Sequence, residues 1–147
     1  MKKHLLKLFA IVALTGFVFT SCGEEEEEVA TAASLSGTYA VSDVVTGDGA
    51  GTYTYNVTVT ASSTDETKIL ISNFGGFSTP ITVSGTVSNN AITIASQTPA
   101  EWNGMSISGT ISGNGTTVDI NNIGVVTYTI NYTDQTVSAG TATYTKQ

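Results

Sequence analysis

From Gly37 onward apolar and polar residues alternate with period two, in run after run. Tyr53, Tyr55, Val57 and Val59 are interleaved with Thr52, Thr54, Asn56, Thr58 and Thr60. Ile69 and Ile71, then Ile81, Val83 and Val87, then Ile92 and Ile94 repeat the pattern. Met105, Ile107 and Ile111 follow, then Val118 and Ile120, then Val126, Tyr128, Ile130 and Tyr132, and last Val137, Ala139, Ala142 and Tyr144. A period of two places successive side chains on opposite faces of a strand. The intervening residues are threonine, serine and asparagine, which tolerate water. One buried face and one wet face is the signature of antiparallel pairing. No segment sustains a helical period.

Turn chemistry divides these runs. Asn89-Asn90 and Asn114-Gly115 accept the positive φ that tight hairpins require. Gly47 to Gly51, Thr64-Asp65-Glu66 and Thr133-Asp134-Gln135 are looser polar breaks. The spacing predicts nine strands, over 37–45, 52–61, 67–73, 79–88, 91–96, 104–112, 116–121, 125–133 and 136–145. Short connections make consecutive strands neighbours. A weak repeat relates Val83 to Asn90 with Ile107 to Asn114, each copy expected to lead through a turn into a short apolar strand. Gly85 and Gly109 fall on its apolar face, where glycine marks a bend or a close approach.

The expected fold class is all-β, an antiparallel up-and-down meander of eight or nine strands. Closure into a small barrel removes both sheet edges; a two-sheet β-sandwich is the alternative. Leu35-Ser36-Gly37-Thr38-Tyr39 resembles the opening Gly-x-Trp of lipocalins and fatty-acid-binding proteins, with Tyr39 in place of Trp. Residues 35–147 resemble lipocalin-like barrels of uncharacterised lipoproteins of Bacteroidota, a resemblance that implies no site residues.

Ahead of this domain, residues 1–21 have the grammar of a secretory signal peptide. Lys2, Lys3 and Lys7 form a basic start, and Leu8 to Phe19 is apolar apart from Thr15 and Gly16. That run is shorter than the ~20 residues of a membrane span. Phe19-Thr20-Ser21-Cys22 resembles the lipobox of bacterial lipoproteins, in the relaxed form of Bacteroidota. The resemblance implies cleavage by signal peptidase II, with diacylglycerol on Cys22 and an acyl group such as palmitate on the new amino terminus. Two such signals make a stable anchor. Glu24, Glu25, Glu26, Glu27 and Glu28 repel one another and form a solvated run. They resemble the export signal that sends such lipoproteins to the cell surface, the periplasmic face of the outer membrane being the alternative. Residues 22–34 are thus expected to be a tether, spanning at most ~40 Å from Gly23 to Ser34.

Composition excludes much of the remaining chemistry. The chain has one cysteine and one histidine, and both fall in or beside the leader, at Cys22 and His4. Removing the leader takes away three lysines and no acid, moving the formal charge from −7 to −10. Lys68 and Lys146 alone cannot neutralise a phosphate backbone, so no nucleic-acid partner is expected. Zinc lacks its His and Cys ligands, and no spaced calcium loop is present; no metal or cofactor is expected. The acids Asp43, Asp48, Asp65, Glu66, Glu101, Asp119 and Asp134 fall mostly in turns, where they read as solvated, and form no pair suited to glycoside hydrolysis. The serines have no base beside them. No catalytic residue is therefore expected, and the chain reads as a non-enzyme.

Two loops carry aromatic residues. Asn73 to Phe77 holds Phe74 and Phe77, and Gln97 to Asn103 holds Trp102, the only tryptophan. Such residues either line a ligand entry or turn inward and plug the barrel. The expected function is a lipid-anchored, surface-displayed protein binding a small apolar or glycan ligand. Its alternative is an interaction module of the cell envelope with a solid β core.

Overall fold

The computed structural model describes residues 28–105 and 108–147. Cys22, Glu24 to Glu27 and Ile107 lie outside the described residues, as does the leader. Eight strands form a closed antiparallel barrel in chain order. They are β1 (Gly37–Gly47), β2 (Gly51–Ala61), β3 (Lys68–Ser72), β4 (Thr82–Ser88), β5 (Ala91–Gln97), β6 (Gly109–Asp119), β7 (Asn122–Tyr132) and β8 (Val137–Lys146). The meander closes where β1 pairs with β8, Tyr39 opposite Lys146 through Gly47 opposite Ser138. This is the expected up-and-down barrel and not the sandwich.

The core is the inward half of the alternation. Val57, Val59, Ile69, Ile71, Val83, Ile92, Ile94, Ile111, Val126 and Ile130 are all buried inside. Each such side chain contributes about 1.5–3 kcal/mol on leaving water. Asn89 and Asn90 have φ of 49° and 59°, as a primed hairpin turn demands. Gln135, at 72°, shapes the β7–β8 turn.

Three expectations are corrected. Asn114-Gly115 is not a turn, and the two strands expected on either side of it are one, β6. Asn114 pairs with Thr93 on one side and Thr127 on the other; Gly115 pairs with Ile92 and Val126. A turn there would strip β5 and β7 of their partner, and neither residue has positive φ. The chain turns instead at Ile120-Asn121, where Asp119 Oδ1 accepts from the Asn121 amide at 2.7 Å. Val118 accordingly faces solvent, and Met105, in the connection ahead of β6 and not in a strand, is exposed as well. At the start of β8, Val137 and Ala139 point outward, while Ser138 and Gly140 share the inward face with Ala142 and Tyr144. Finally, the boundary of the folded domain moves from Leu35 to Ala30. Ala30, Ala32 and Leu35 are buried, and the Ala30 amide donates to Asn90 Oδ1 at 2.8 Å.

The segment 28–36 closes one end of the barrel, here called the plugged end. Lys146 Nζ donates to the carbonyls of Ser34 (3.0 Å) and Asn121 (2.9 Å), and the Tyr39 hydroxyl donates to the Leu35 carbonyl at 2.7 Å. The opposite, loop-rich end gathers Gly47 to Gly51, Asn73 to Ile81, Gln97 to Met105 and Thr133 to Thr136.

Candidate functional site

Asp43 lies inside the barrel with 0% of its surface exposed. Its phase with Tyr39 and Val41 on β1 places it there, and reading it as a solvated acid is incorrect. The Tyr128 hydroxyl donates to Asp43 Oδ2 at 2.6 Å and the Tyr55 hydroxyl at 2.8 Å. Asp43 Oδ1 and the buried Tyr144 hydroxyl have no protein partner. Burial raises the pKa of Tyr55, Tyr128 and Tyr144 well above the usual phenol range, and the negative charge of Asp43 pushes all three further the same way. Nearer the plugged end, burial pushes Tyr39 up to about 12.

Glycine makes room for this centre. Tyr128 is flanked across the sheet by Gly113 on β6 and Gly140 on β8. A Cβ added at Gly140 would lie 2.2 Å from Tyr128 Cζ and 2.5 Å from its hydroxyl oxygen. Gly140→Ala needs no change of backbone but displaces the ring from Asp43. Overpacking plus the lost hydrogen bond is expected to cost about 3 kcal/mol. Urea unfolding measures it; unchanged stability would show that the ring does not occupy this place.

Above Tyr128 stand the aromatic loops. Phe74 is fully buried and meets the Tyr128 ring edge-on at 4.8 Å between centroids. Trp102 is also buried, 5.7 Å from Phe77 and 6.3 Å from Tyr132. Phe74 and Trp102 thus turn inward and plug the barrel, whereas Phe77 is half-buried and faces an opening. That opening is a cup of about 190 Å³ whose aromatic walls are Tyr53, Phe77, Tyr128 and Tyr132. Asp48, Gly75, Gly76 and Ser138 also line it. The Ser138 hydroxyl donates to the Asp48 carbonyl at 2.5 Å, and the Tyr53 hydroxyl to the Gly49 carbonyl at 2.8 Å. Both bonds fix the β1–β2 hairpin as one rim. Of the cup residues, the aromatic-loop reading identified Phe77 alone. Tyr128 and Tyr132 were legible as inward strand residues, but their convergence with Asp48 comes from closure, which no local pattern reports.

Asp65 and Asp134 stand in exposed turns. Each accepts from the amide and hydroxyl of the threonine two residues on, Thr67 and Thr136. Those bonds, the hydroxyl's first, lower both carboxyl pKa values. Among the described residues no three acidic, His or Cys side chains cluster to hold a metal. No helix among them is long and apolar enough to cross a membrane.

No protein-family model matches the chain, and no curated protein does. Among solved structures, a redesigned β-barrel is similar over 78% of this chain and 95% of its own, with 15% identity and a TM-score of 0.48. What the topology itself shows is an all-β protein whose eight-stranded closed meander fits a lipocalin-like barrel.

Proposed function

We propose that the chain is a lipid-anchored, non-enzymatic binding protein of the bacterial cell surface, which holds a small ligand in the cup at its loop-rich end. The observation that carries the reading is the cup itself. The interior below it is filled by the buried Tyr39, Tyr128, Tyr144 and Phe74, with the half-buried Tyr55 packed against them, as the width of an eight-stranded barrel allows. The cup is lined by four aromatic side chains, which suit an apolar or sugar-ring surface. The anchor rests on the leader pattern and Cys22, and the surface address on Glu24 to Glu28. Because the fold begins at Ala30, the tether is Gly23 to Val29, at most ~25 Å long. It leaves from the plugged end, so the cup faces away from the membrane.

Native mass spectrometry of the chain purified from the cells that make it tests this reading. The expected result is a triacylated amino terminus at Cys22 and a small-molecule adduct that Phe77→Ala loses. Proteinase added to intact cells is expected to remove the barrel. An unmodified Cys22 would overturn the anchor, and a barrel resistant to the proteinase would overturn surface display. An adduct-free mass would favour the second reading, an envelope interaction module, which the filled interior supports.

A further inference from the structure

Resting on that binding reading, we infer that the cup selects a small organic cation, a substituted ammonium whose charge sits against the aromatic walls. Three observations converge. First, four aromatic side chains, Tyr53, Phe77, Tyr128 and Tyr132, line a space of about 190 Å³. A ring face is electron-rich and attracts a desolvated cation, and ammonium groups are held in this way by aromatic cages. Second, the lysines among the described residues are confined to one end of the barrel. Lys68 and Lys146 both stand at the plugged end, together with Glu28, Asp65, Glu66 and Asp119. Their one salt bridge, Lys68 to Asp65 at 3.4 Å, is there too. The loop-rich half holds Asp43, Asp48, Glu101 and Asp134, and no lysine among the described residues competes for the cup. Third, negative charge is placed both at the rim and behind the wall. Asp48 lines the cup itself. Behind the wall, Asp43 accepts a hydrogen bond from the Tyr128 hydroxyl, which orients that phenol with its oxygen toward the buried carboxyl group. An acid within reach of an aromatic wall strengthens attraction for a cation and weakens it for a carboxylate or phosphate.

The ligand class is thus small, positively charged and apolar at its surface. A neutral molecule of the same shape gains only the hydrophobic contact, and an anion is repelled by Asp48.

The test is a titration of the full-length lipoprotein in neutral polyoxyethylene detergent, followed by the emission of Trp102, whose ring contacts Phe77. The probes are choline, its uncharged isostere 3,3-dimethylbutan-1-ol, glucose and acetate. Choline is expected to saturate the signal, with the isostere about 5- to 30-fold weaker, the factor that a cation–π contact of ~1–2 kcal/mol supplies. Asp48→Asn, at an exposed turn position, is expected to weaken choline about fivefold and leave the isostere unchanged. Equal binding of choline and the isostere, or binding of glucose without choline, would overturn the cation inference and leave the cup as a binding site. Failure of all four probes to bind, in a protein that also carries no native adduct, would overturn both.

Discussion

Raising the pH from 9 to about 11 is expected to unfold the barrel cooperatively. Tyr39, Tyr55, Tyr128 and Tyr144 have pKa values above the free phenol's 10.0 in the fold, chiefly because burial disfavours the phenolate. The sign follows from proton binding. Below pH ~10 both states hold these protons and nothing is lost. Above it the unfolded chain releases them while the folded chain retains them, so stability falls as pH rises. Each group removes about 1.4 kcal/mol per pH unit, so the four together remove about 5–6 kcal/mol by pH ~11. That is comparable to the whole stability of a typical domain, ~5–15 kcal/mol. Circular dichroism and tyrosinate absorbance, recorded together, check it. The part of the tyrosinate signal that comes from these four inward phenols should rise with the loss of structure, because they ionise only on unfolding. Gradual ionisation of all the tyrosines with the fold intact would show that the centre is open to water.

Asp43→Ala is expected to destabilise the barrel by about 3–5 kcal/mol. The substitution leaves the Tyr55 and Tyr128 hydroxyls buried without an acceptor, at about 1–3 kcal/mol each, and opens a small void. Removing all the polar partners together is different. Asp43→Val combined with Tyr55→Phe and Tyr128→Phe leaves no orphaned hydroxyl on those two rings, and is expected to regain most of the loss. Denaturant titration of the two variants decides. If the triple variant is less stable than Asp43→Ala, the hydrogen bonds to Asp43 are not what holds this region.

These effects show which parts of the molecule the sequence could disclose. The strands were legible because alternation is a local signal that closure reinforces. Asn114-Gly115 misled because turn preference is also local. Inside β6 the pairing with both β5 and β7 outweighs it and offsets the cost of a glycine within a strand, about 0.5–1 kcal/mol. The phase at Val137 was hidden because Ser138 and Gly140, the inward residues, are not apolar; their inward places accommodate the hydroxyl bond to Asp48 and the Tyr128 ring. Asp43 was overlooked for the converse reason, a carboxylate standing in an apolar phase. The plug escaped notice because Ala30, Ala32 and Leu35 show neither a strand nor a helix period. Of the two places open to the loop aromatics, Phe74 and Trp102 took the inward one. The cup itself depends on four segments far apart in the chain, so no single stretch announces it.

The plug also sets how the molecule bears load. Any pull transmitted from residues ahead of Glu28 enters at the plugged end and meets the Ala30–Asn90 hydrogen bond first. Once segment 28–36 peels away, the force runs along the axis of β1. That strand is zipped on one side to β2 and on the other to β8. Its hydrogen bonds lie perpendicular to the pull and must be sheared together, not opened one at a time. The barrel is therefore held through a strand loaded in shear on both sides, with a short sacrificial segment in front of it.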